Sequence, residues 1–277
     1  MALKIVPNFL NEFPKSHRPA VERAIGTWSD VLDSPIPVKV NFYWTFGLSN
    51  TMQAICVPNG QESFPLAPEL KTWYTSALAD KLSGRDLQPN EPDMAVLFNG
   101  TTKWYFGTAS PGKNEYDLES IALHEMCHGF GFLSLLWYDN KGNGTYGSAV
   151  IKKTIDSLIG TCSLDKVFPF QVPNLKDYPC IYDRYITDGS GKLLTDTNIY
   201  SNDSSQLGAA ITSNNLFFHK YLQYSVYAPT SFAPFTSISH LNGANFPNSL
   251  MRPAIGEEEI VCRVDTPVRN ILSVIGW

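Results

Sequence analysis

The amino-acid sequence predicts a single α+β domain, and three observations lead to this fold class. Helix-type and strand-type hydrophobic periodicities both occur in the first half of the 277-residue chain. From about residue 139 to 236 the chain is rich in turn residues, as in "DNKGNGTYG", "TDGSGK" and "SNDSSQ". It then closes with a helix-type pattern. We therefore expect one domain over residues 1–277, with an N-terminal lobe (1–133) and a C-terminal lobe (134–277).

Composition and charge exclude several classes of partner. The chain is 43% hydrophobic and 17% charged, as an ordinary globular protein is, and its net charge is -5. Nucleic acids and anionic membranes would both favour a basic face. No apolar run approaches the ~18 residues that suggest a membrane span. The start, "MALKIVPNFLNEFPKSHRP", lacks the apolar core of a signal peptide. We expect a monomer without a nucleic-acid partner or membrane span.

The first clear helix is predicted in "SHRPAVERAIGTWSDVLDS". Ser16 is suited to cap it, and Pro19 falls in its first turn. Its apolar residues recur at intervals of three and four, which predicts one buried face. These residues are Val21, Ala24, Ile25, Trp28, Val31 and Leu32.

Two strands are predicted next, with a helix between them. "PVKVNFYW" alternates apolar and polar residues, which is typical of a half-buried strand. "DMAVLFNG" indicates another strand, stopped by Asn-Gly. The helix is predicted in "WYTSALADKLSG" and should end at Gly84.

The second half of the chain predicts a hairpin and a closing helix. "IYDRYITDGSGKLL" favours a hairpin around Asp188 and Gly189. In "DTPVRNILSVIGW", Asp265 should cap a short helix that ends at Gly276. Its predicted buried face is Val268, Ile271, Leu272 and Ile275.

Five cysteines without a CxxC pair argue against a cysteine-based zinc site. Cys162 and Cys180 could close a short loop as a disulfide. Several small buried thiols are the equally simple alternative. Cys127 in particular is expected to face the core.

The stretch "DLESIALHEMCHGFGF" carries the strongest functional signal. Asp117 is suited to cap a helix that runs through it. On that helix His124 and His128 lie one turn apart, so both imidazoles can bind a single ion. Glu125 is rotated about 100° from His124, so its carboxylate can act on water beside the ion without binding it.

Coincidence is the alternative, because a bare HExxH pattern also occurs by chance. The segment has the cap and periodicity of a helix, and no helix breaker separates the two histidines. Gly129 and Gly131 follow directly, where a chain that leaves a metal site must turn. These features favour a metal site.

"HEMCHGFGF" resembles the HExxHGxGF signature of zincin metallopeptidases, particularly the metzincin-like bacterial secreted enzymes. "YTSALADKLSG", "DMAVLFNG", "KWYFG", "YDRYI", "SISHL", "NSLMRP" and "ILSVIGW" follow that family's order, so that the resemblance covers roughly residues 37–277. It implies a twisted N-terminal sheet with a backing helix and an active-site helix, followed by a loop-rich C-terminal lobe. It also implies a Zn²⁺ cofactor, a protein or peptide substrate and secretion.

One position departs from the metzincin pattern HExxHxxGxxH, since Ser134 stands where the third histidine should be. In the family that this chain resembles, a "SxSHL" segment precedes an "SLM" turn, the Met-turn. The resemblance therefore favours His240 as the third ligand, with Met251 as an apolar floor beneath the metal. The other candidates are His219, Asp139 and Asp183.

Three functions follow from these patterns. The first is a zinc-dependent endopeptidase in which Glu125 is the general base for a metal-activated water. The resemblance implies that a tyrosine, Tyr182 or Tyr224, could stabilise the oxyanion. The second is a catalytically inactive binding or toxin-like module on a zincin scaffold. The third is a plain α+β binding domain without metal. Glu125 favours the enzyme, because a structural metal site needs no general base.

Overall fold

The structure is a computed structural model that describes residues 1–62, 64–139, 141–147, 177–219 and 222–277, with the backbone alone at residue 219. It is a mixed α+β structure, as predicted. The strands are β1 (Ile5–Leu10), β2 (Val38–Thr45), β3 (Ala54–Pro58), β4 (Gly60–Glu62), β5 (Trp73–Thr75), β6 (Met94–Asn99), β7 (Trp104–Tyr105), β8 (Tyr116–Asp117), β9 (Leu136–Tyr138), β10 (Gly144–Tyr146), β11 (Ile186–Asp188), β12 (Leu216–His219) and β13 (Gln223–Ser225). The helices are α1 (Arg18–Val31), α2 (Ser76–Ser83), α3 (Leu118–Gly129), α4 (Ser205–Ile211) and α5 (Thr266–Ile275).

The largest sheet has four strands in the order β1-β2-β6-β3. The first three are parallel, and β3 runs antiparallel to β6. The two predicted strands are confirmed as β2 and β6. The edge strands β1 and β3 were not predicted; β1 contains Pro7, which an edge strand tolerates because one side of its backbone needs no partner.

Helix α1 lies where its periodicity predicts, and Trp28 ties it to α3. The Trp28 indole donates a hydrogen bond to the Leu123 carbonyl at 3.0 Å. The predicted cap is wrong, because the N-cap position is His17 and carries no side-chain capping bond. The Ser16 hydroxyl lies 3.0 Å from the His17 ring nitrogen instead.

Helix α2 is shorter than predicted. Its first predicted residues, Trp73–Thr75, form strand β5 and pair with β4. Thr75 is still in the extended conformation, so the helix begins at Ser76. It ends as predicted at Gly84, where a φ of 67° is a left-handed conformation that glycine adopts readily.

The closing helix α5 is confirmed. Asp265 caps it through the Val268 N–H, and the four predicted apolar residues are all buried. The tight turn after Asp188 is also present, since the Asp188 N–H donates to the Lys192 carbonyl at 2.9 Å. The predicted hairpin is short: Thr187 forms a single antiparallel bridge with Leu193, and the Leu194 N–H donates to the Ile186 carbonyl at 2.9 Å. The longer ladder of β11 is with β12.

One large hydrophobic core extends from Leu3 to Ile275 in the sequence and includes residues of both predicted lobes. Cys127 is fully buried in it, as predicted. Cys180 is buried and its thiol donates to the Leu133 carbonyl at 3.0 Å, while Cys162 lies outside the described residues. Within the described part of the chain, no helix is both long and apolar enough to cross a membrane.

Candidate metal centre

Helix α3 carries two of the three histidines of the candidate site. Asp117 caps it by accepting the Ser120 N–H at 2.9 Å. The helix packs on α1 and on the edge strand β3. At Gly129, its last residue, a Cβ atom would overlap the Met94 sulphur and lie 3.2 Å from the Cys56 sulphur. Gly129 therefore allows close packing of the helix on the sheet, and the turn comes at Gly131, with φ +106°.

The structure brings His240 to His124 and His128. The ring centroids of the three imidazoles lie 4.9–5.2 Å apart. Their ligand nitrogens all lie within 4.8 Å of one another, which is close enough to hold a metal ion. The Nε2 atoms of His124 and His240 are only 3.2 Å apart.

Each of these three rings donates its Nδ1–H to a backbone carbonyl. A carbonyl oxygen can only accept a hydrogen bond, so the hydrogen of each neutral ring must be on Nδ1. Each Nε2 is then a bare lone pair that faces the other two. The Nδ1-to-oxygen distances are 2.7 Å for His124 to Leu250, 2.7 Å for His128 to Phe132 and 2.8 Å for His240 to Thr236.

The three imidazoles are neutral at pH 7. Burial lowers the pKa of His124 to about 4 and that of His128 to about 3. Burial and the two neighbouring imidazoles hold the pKa of His240 well below its ordinary value. Converging lone pairs repel, and a cation relieves this repulsion. In a tetrahedral zinc site with Zn–N bonds of 2.0–2.1 Å, two ligand nitrogens are about 3.3 Å apart, so the donor set fits such an ion.

Glu125 lies beside the triad. Its side chain is buried, lines the same cavity as the three histidines, and accepts a hydrogen bond from the Cys56 backbone N–H. Burial raises the pKa of Glu125 to about 8. A cation at the triad would favour the ionised carboxylate and lower this pKa.

Ser134 and Asp183 connect the end of the motif to the segment that carries His240. The Ser134 hydroxyl donates to the Asp183 carboxylate at 2.6 Å. The Ser134 N–H donates to the Ser239 hydroxyl at 3.0 Å, one residue before His240. The backbone of Ser134, and not its side chain, thus makes the contact to the segment that carries His240.

Of the alternative ligands, Asp183 and Asp139 lie outside the group of three. The buried Asp183 carboxylate also accepts the N–H groups of Leu135 and Cys180 at 2.9 and 3.2 Å. Asp139 accepts the N–H groups of its own turn, from Lys141 and Asn143, and this is a solvated loop. The His219 side chain lies outside the described part of the chain.

The "SLM" turn is hydrogen-bonded to His124 through its backbone. The Leu250 carbonyl accepts the His124 Nδ1–H, and the Leu250 N–H donates to Asp265 at 2.8 Å. Met251 is fully buried. Sequence reasoning identified Asp265 only as a helix cap and missed its second role, because a bond to a backbone group leaves no pattern in side-chain types. The same holds for the Cys56 N–H.

The hydroxyl groups of the two candidate tyrosines are not positioned to stabilise an oxyanion in the cavity. The Tyr182 hydroxyl is buried and donates to the Ile238 carbonyl at 3.1 Å. The Tyr224 hydroxyl accepts a hydrogen bond from the Asn270 side chain at 2.8 Å. Neither is among the described residues that line the cavity.

A cavity of about 490 Å³ opens beside the triad. Its lining includes strand β3, the chain that follows α3 and the segment before His240. The arrangement can hold a divalent cation on three imidazoles with its free side toward the cavity and a carboxyl group alongside.

The chain was compared with protein-family models, with curated proteins and with solved structures, and no match was found in any of the three. Its chemistry must therefore be inferred from the residues and their geometry. That geometry identifies His124, His128 and His240 as a group that could hold a metal ion.

Proposed function

We propose that the protein is a zinc-dependent endopeptidase of the zincin type. The observation that carries the proposal is the convergence of three bare Nε2 atoms next to the carboxyl group of Glu125. Three neutral imidazoles with an open fourth position are a typical donor set for catalytic zinc. When bound there, zinc would supply a Lewis acid that activates water and polarises the scissile carbonyl.

Glu125 is the proposed general base. Its carboxylate would take a proton from the attacking water as the new carbon–oxygen bond forms. It would then give the proton to the amide nitrogen as the carbon–nitrogen bond breaks, which releases a carboxylic acid and an amine. This role requires the ionised carboxylate, which a cation at His124, His128 and His240 would favour despite the burial of Glu125.

The edge strand β3 offers a binding site for the substrate backbone. One of its edges pairs with β6, and its other edge pairs with no described strand. Residues 51–60 line the cavity, and the Cys56 N–H contacts Glu125. An extended peptide could add to such an edge as a further strand, which would place its carbonyl groups beside Glu125.

Several features support the zincin type in particular. The HExxH residues lie on a capped helix that packs on a backing helix and on a mostly parallel sheet. The "SLM" turn contacts His124 through the Leu250 carbonyl, and this proximity supports its interpretation as a Met-turn. Secretion, a monomeric state and the two-lobed single domain are part of the same proposal and rest on the sequence.

Substrate cleavage by zinc-loaded protein tests the proposal. Wild type and Glu125→Gln would be loaded with one equivalent of zinc and incubated with an unfolded protein. We expect Glu125→Gln to keep its zinc and to lose roughly 10²–10⁴-fold or more in rate. Glu119→Gln is a matched control on the same helix, since Glu119 pairs with Arg23 and is not among the cavity-lining residues.

Glu119→Gln should cleave within a few-fold of wild type. Equal cleavage by wild type and Glu125→Gln would show that Glu125 is not the base. No cleavage by either protein, with zinc bound to both, would instead favour the inactive binding module on the same scaffold.

A further inference from the structure

Phe235 has a conformation and exposure that core packing does not explain. It lines the cavity, is 38% exposed and has a φ of +63°, in the left-handed region that aromatic residues rarely adopt. Strained backbone of this kind is concentrated at functional sites. The next residue, Thr236, accepts the His240 Nδ1–H through its carbonyl. Phe235 is therefore one peptide bond away from a residue that orients a candidate metal ligand.

Two further aromatic side chains line the same cavity. Trp137 and Phe232 pack edge to face with their ring centroids 5.4 Å apart. We call Trp137, Phe232 and Phe235 the aromatic wall. Trp137 is on β9, which follows α3 closely, and Phe232 and Phe235 precede His240. The residues of the aromatic wall are therefore close in sequence to two of the candidate ligands, since Trp137 follows His128 and the two phenylalanines precede His240.

Apart from Glu125 beside the triad, the described lining of the cavity has no acidic or basic side chain that could pair with a charged substrate side chain. Among the described lining residues, Glu125 is the only aspartate, glutamate, lysine or arginine. A charged side chain that entered would lose its hydration without gaining a counter-charge, which is unfavourable. A large apolar side chain would instead bury its surface against the aromatic rings.

We propose that the aromatic wall is a specificity surface that accepts a large, uncharged apolar side chain beside the scissile bond, with Phe235 as its main determinant. This inference rests on the proposed peptidase function and defines the class of its substrates. The preferred substrates are peptides with residues such as leucine, phenylalanine or methionine at that position, and not lysine, arginine, aspartate or glutamate.

The test is digestion of a peptide library, with cleavage sites read by mass spectrometry, followed by kcat/KM for matched peptides that carry Leu or Lys at the selected position. Zinc-loaded wild type should favour the Leu peptide by roughly 10–100-fold. Phe235→Gly suits the left-handed backbone and should stay folded with its zinc, but lose most of that preference. Phe235→Lys should lower kcat/KM for the Leu peptide and shift selection toward acidic side chains.

Phe46→Lys is the matched control, because Phe46 is 72% exposed and does not appear among the cavity-lining residues. It should keep the wild-type preference. Cleavage at sites without an apolar preference, or an unchanged preference in both Phe235 variants, would overturn this inference alone. No cleavage by wild type above the level of Glu125→Gln would overturn the peptidase function and this inference together.

Discussion

The carboxylate of Asp265 accepts a hydrogen bond from the backbone N–H of Leu250 at 2.8 Å. The carbonyl of the same residue, Leu250, accepts the His124 Nδ1–H at 2.7 Å. The Ser249 hydroxyl also donates to Asp265, at 3.0 Å. The cap of α5 is thereby linked through one turn to a candidate metal ligand.

Asp265→Ser should weaken zinc binding by up to about 10-fold, less than the loss of a direct partner of a metal ligand, because Asp265 holds the Leu250 N–H and does not contact His124. Serine can still cap α5 through the Val268 N–H, but its short side chain should not reach the Leu250 N–H. Competition with a chelator of known affinity measures the zinc Kd, and urea unfolding of the metal-free protein measures the stability.

Ser204→Ala is the control, because Ser204 caps α4 by accepting the Leu207 N–H. It should cost about 1 kcal/mol of stability and leave the zinc Kd unchanged. If Asp265→Ser changes only the stability and leaves the zinc Kd unchanged, as Ser204→Ala should, Asp265 has no role in positioning His124.

His240→Ala should reduce zinc binding by more than the 10–100-fold expected for an outer partner, because it removes one of three ligands. His17→Ala is the control, since His17 stacks on Phe106 at 4.2 Å and is not part of the triad. Elemental analysis after gel filtration measures the zinc content. A His240→Ala protein that retained one tightly held zinc would show that another residue is the third ligand.

Gly129→Ala should destabilise the metal-free protein by about 1–2 kcal/mol. A methyl group there would overlap the end of the Met94 side chain, which is fully buried and has to repack. Gly26→Ala is the matched control on α1, where a Cβ has open space. It should stabilise by about 0.5–1 kcal/mol through helix propensity. Urea unfolding of the two variants measures the difference, and equal effects would contradict the packing argument.

Asp80 and Asp93 should make stability depend on pH. Both are buried, and a hydrogen bond joins their side chains. Burial raises the pKa of Asp80 to about 6 and that of Asp93 to about 7. Each group thus holds its proton more tightly in the folded protein than in the unfolded chain. Their contribution to stability is fully present below about pH 4 and is lost as the pH rises through 6 to 7.

Asp80→Asn should therefore reduce the loss of stability between pH 5 and pH 8, by on the order of 1–2 kcal/mol. Asparagine is neutral at every pH and can still accept the Leu87 N–H, which Asp80 accepts at 2.9 Å. Asp30→Asn, on the exposed side of α1, is the control and should follow wild type. Unfolding curves at both pH values measure the effect, and parallel curves for all three proteins would contradict it.

Local signals in the sequence predicted four of the five described helices, while α4 was not predicted and the Ser16 cap is wrong. The caps at Asp117 and Asp265 and the stop at Gly84 are confirmed, because each depends on a few neighbouring residues. The order of the main sheet could not be predicted, since it depends on pairing between distant segments. The edge strand Ala54–Pro58 was missed because five residues without clear alternation carry little signal.

The candidate site was predicted only in part, because local sequence patterns determine the positions of some of its residues and not of others. His124, Glu125 and His128 share one helical turn, and helix geometry alone places them together. Nothing near His240 in the sequence predicts its approach to that helix, and only the resemblance suggested it. The supporting groups were missed because most are backbone atoms, such as the Leu250 carbonyl and the Cys56 N–H.

His124 and His240 are 116 positions apart in the sequence, yet their Nε2 atoms lie 3.2 Å apart. An ion bound between them would act as a reversible cross-link that closes a loop of more than a hundred residues. Closing so long a loop restricts the unfolded chain strongly, as a disulfide of the same span would. Loss of the ion would free the loop and would expose it to cleavage by neighbouring copies, if they have the proposed peptidase activity. The supply of metal would then govern how long each molecule survives.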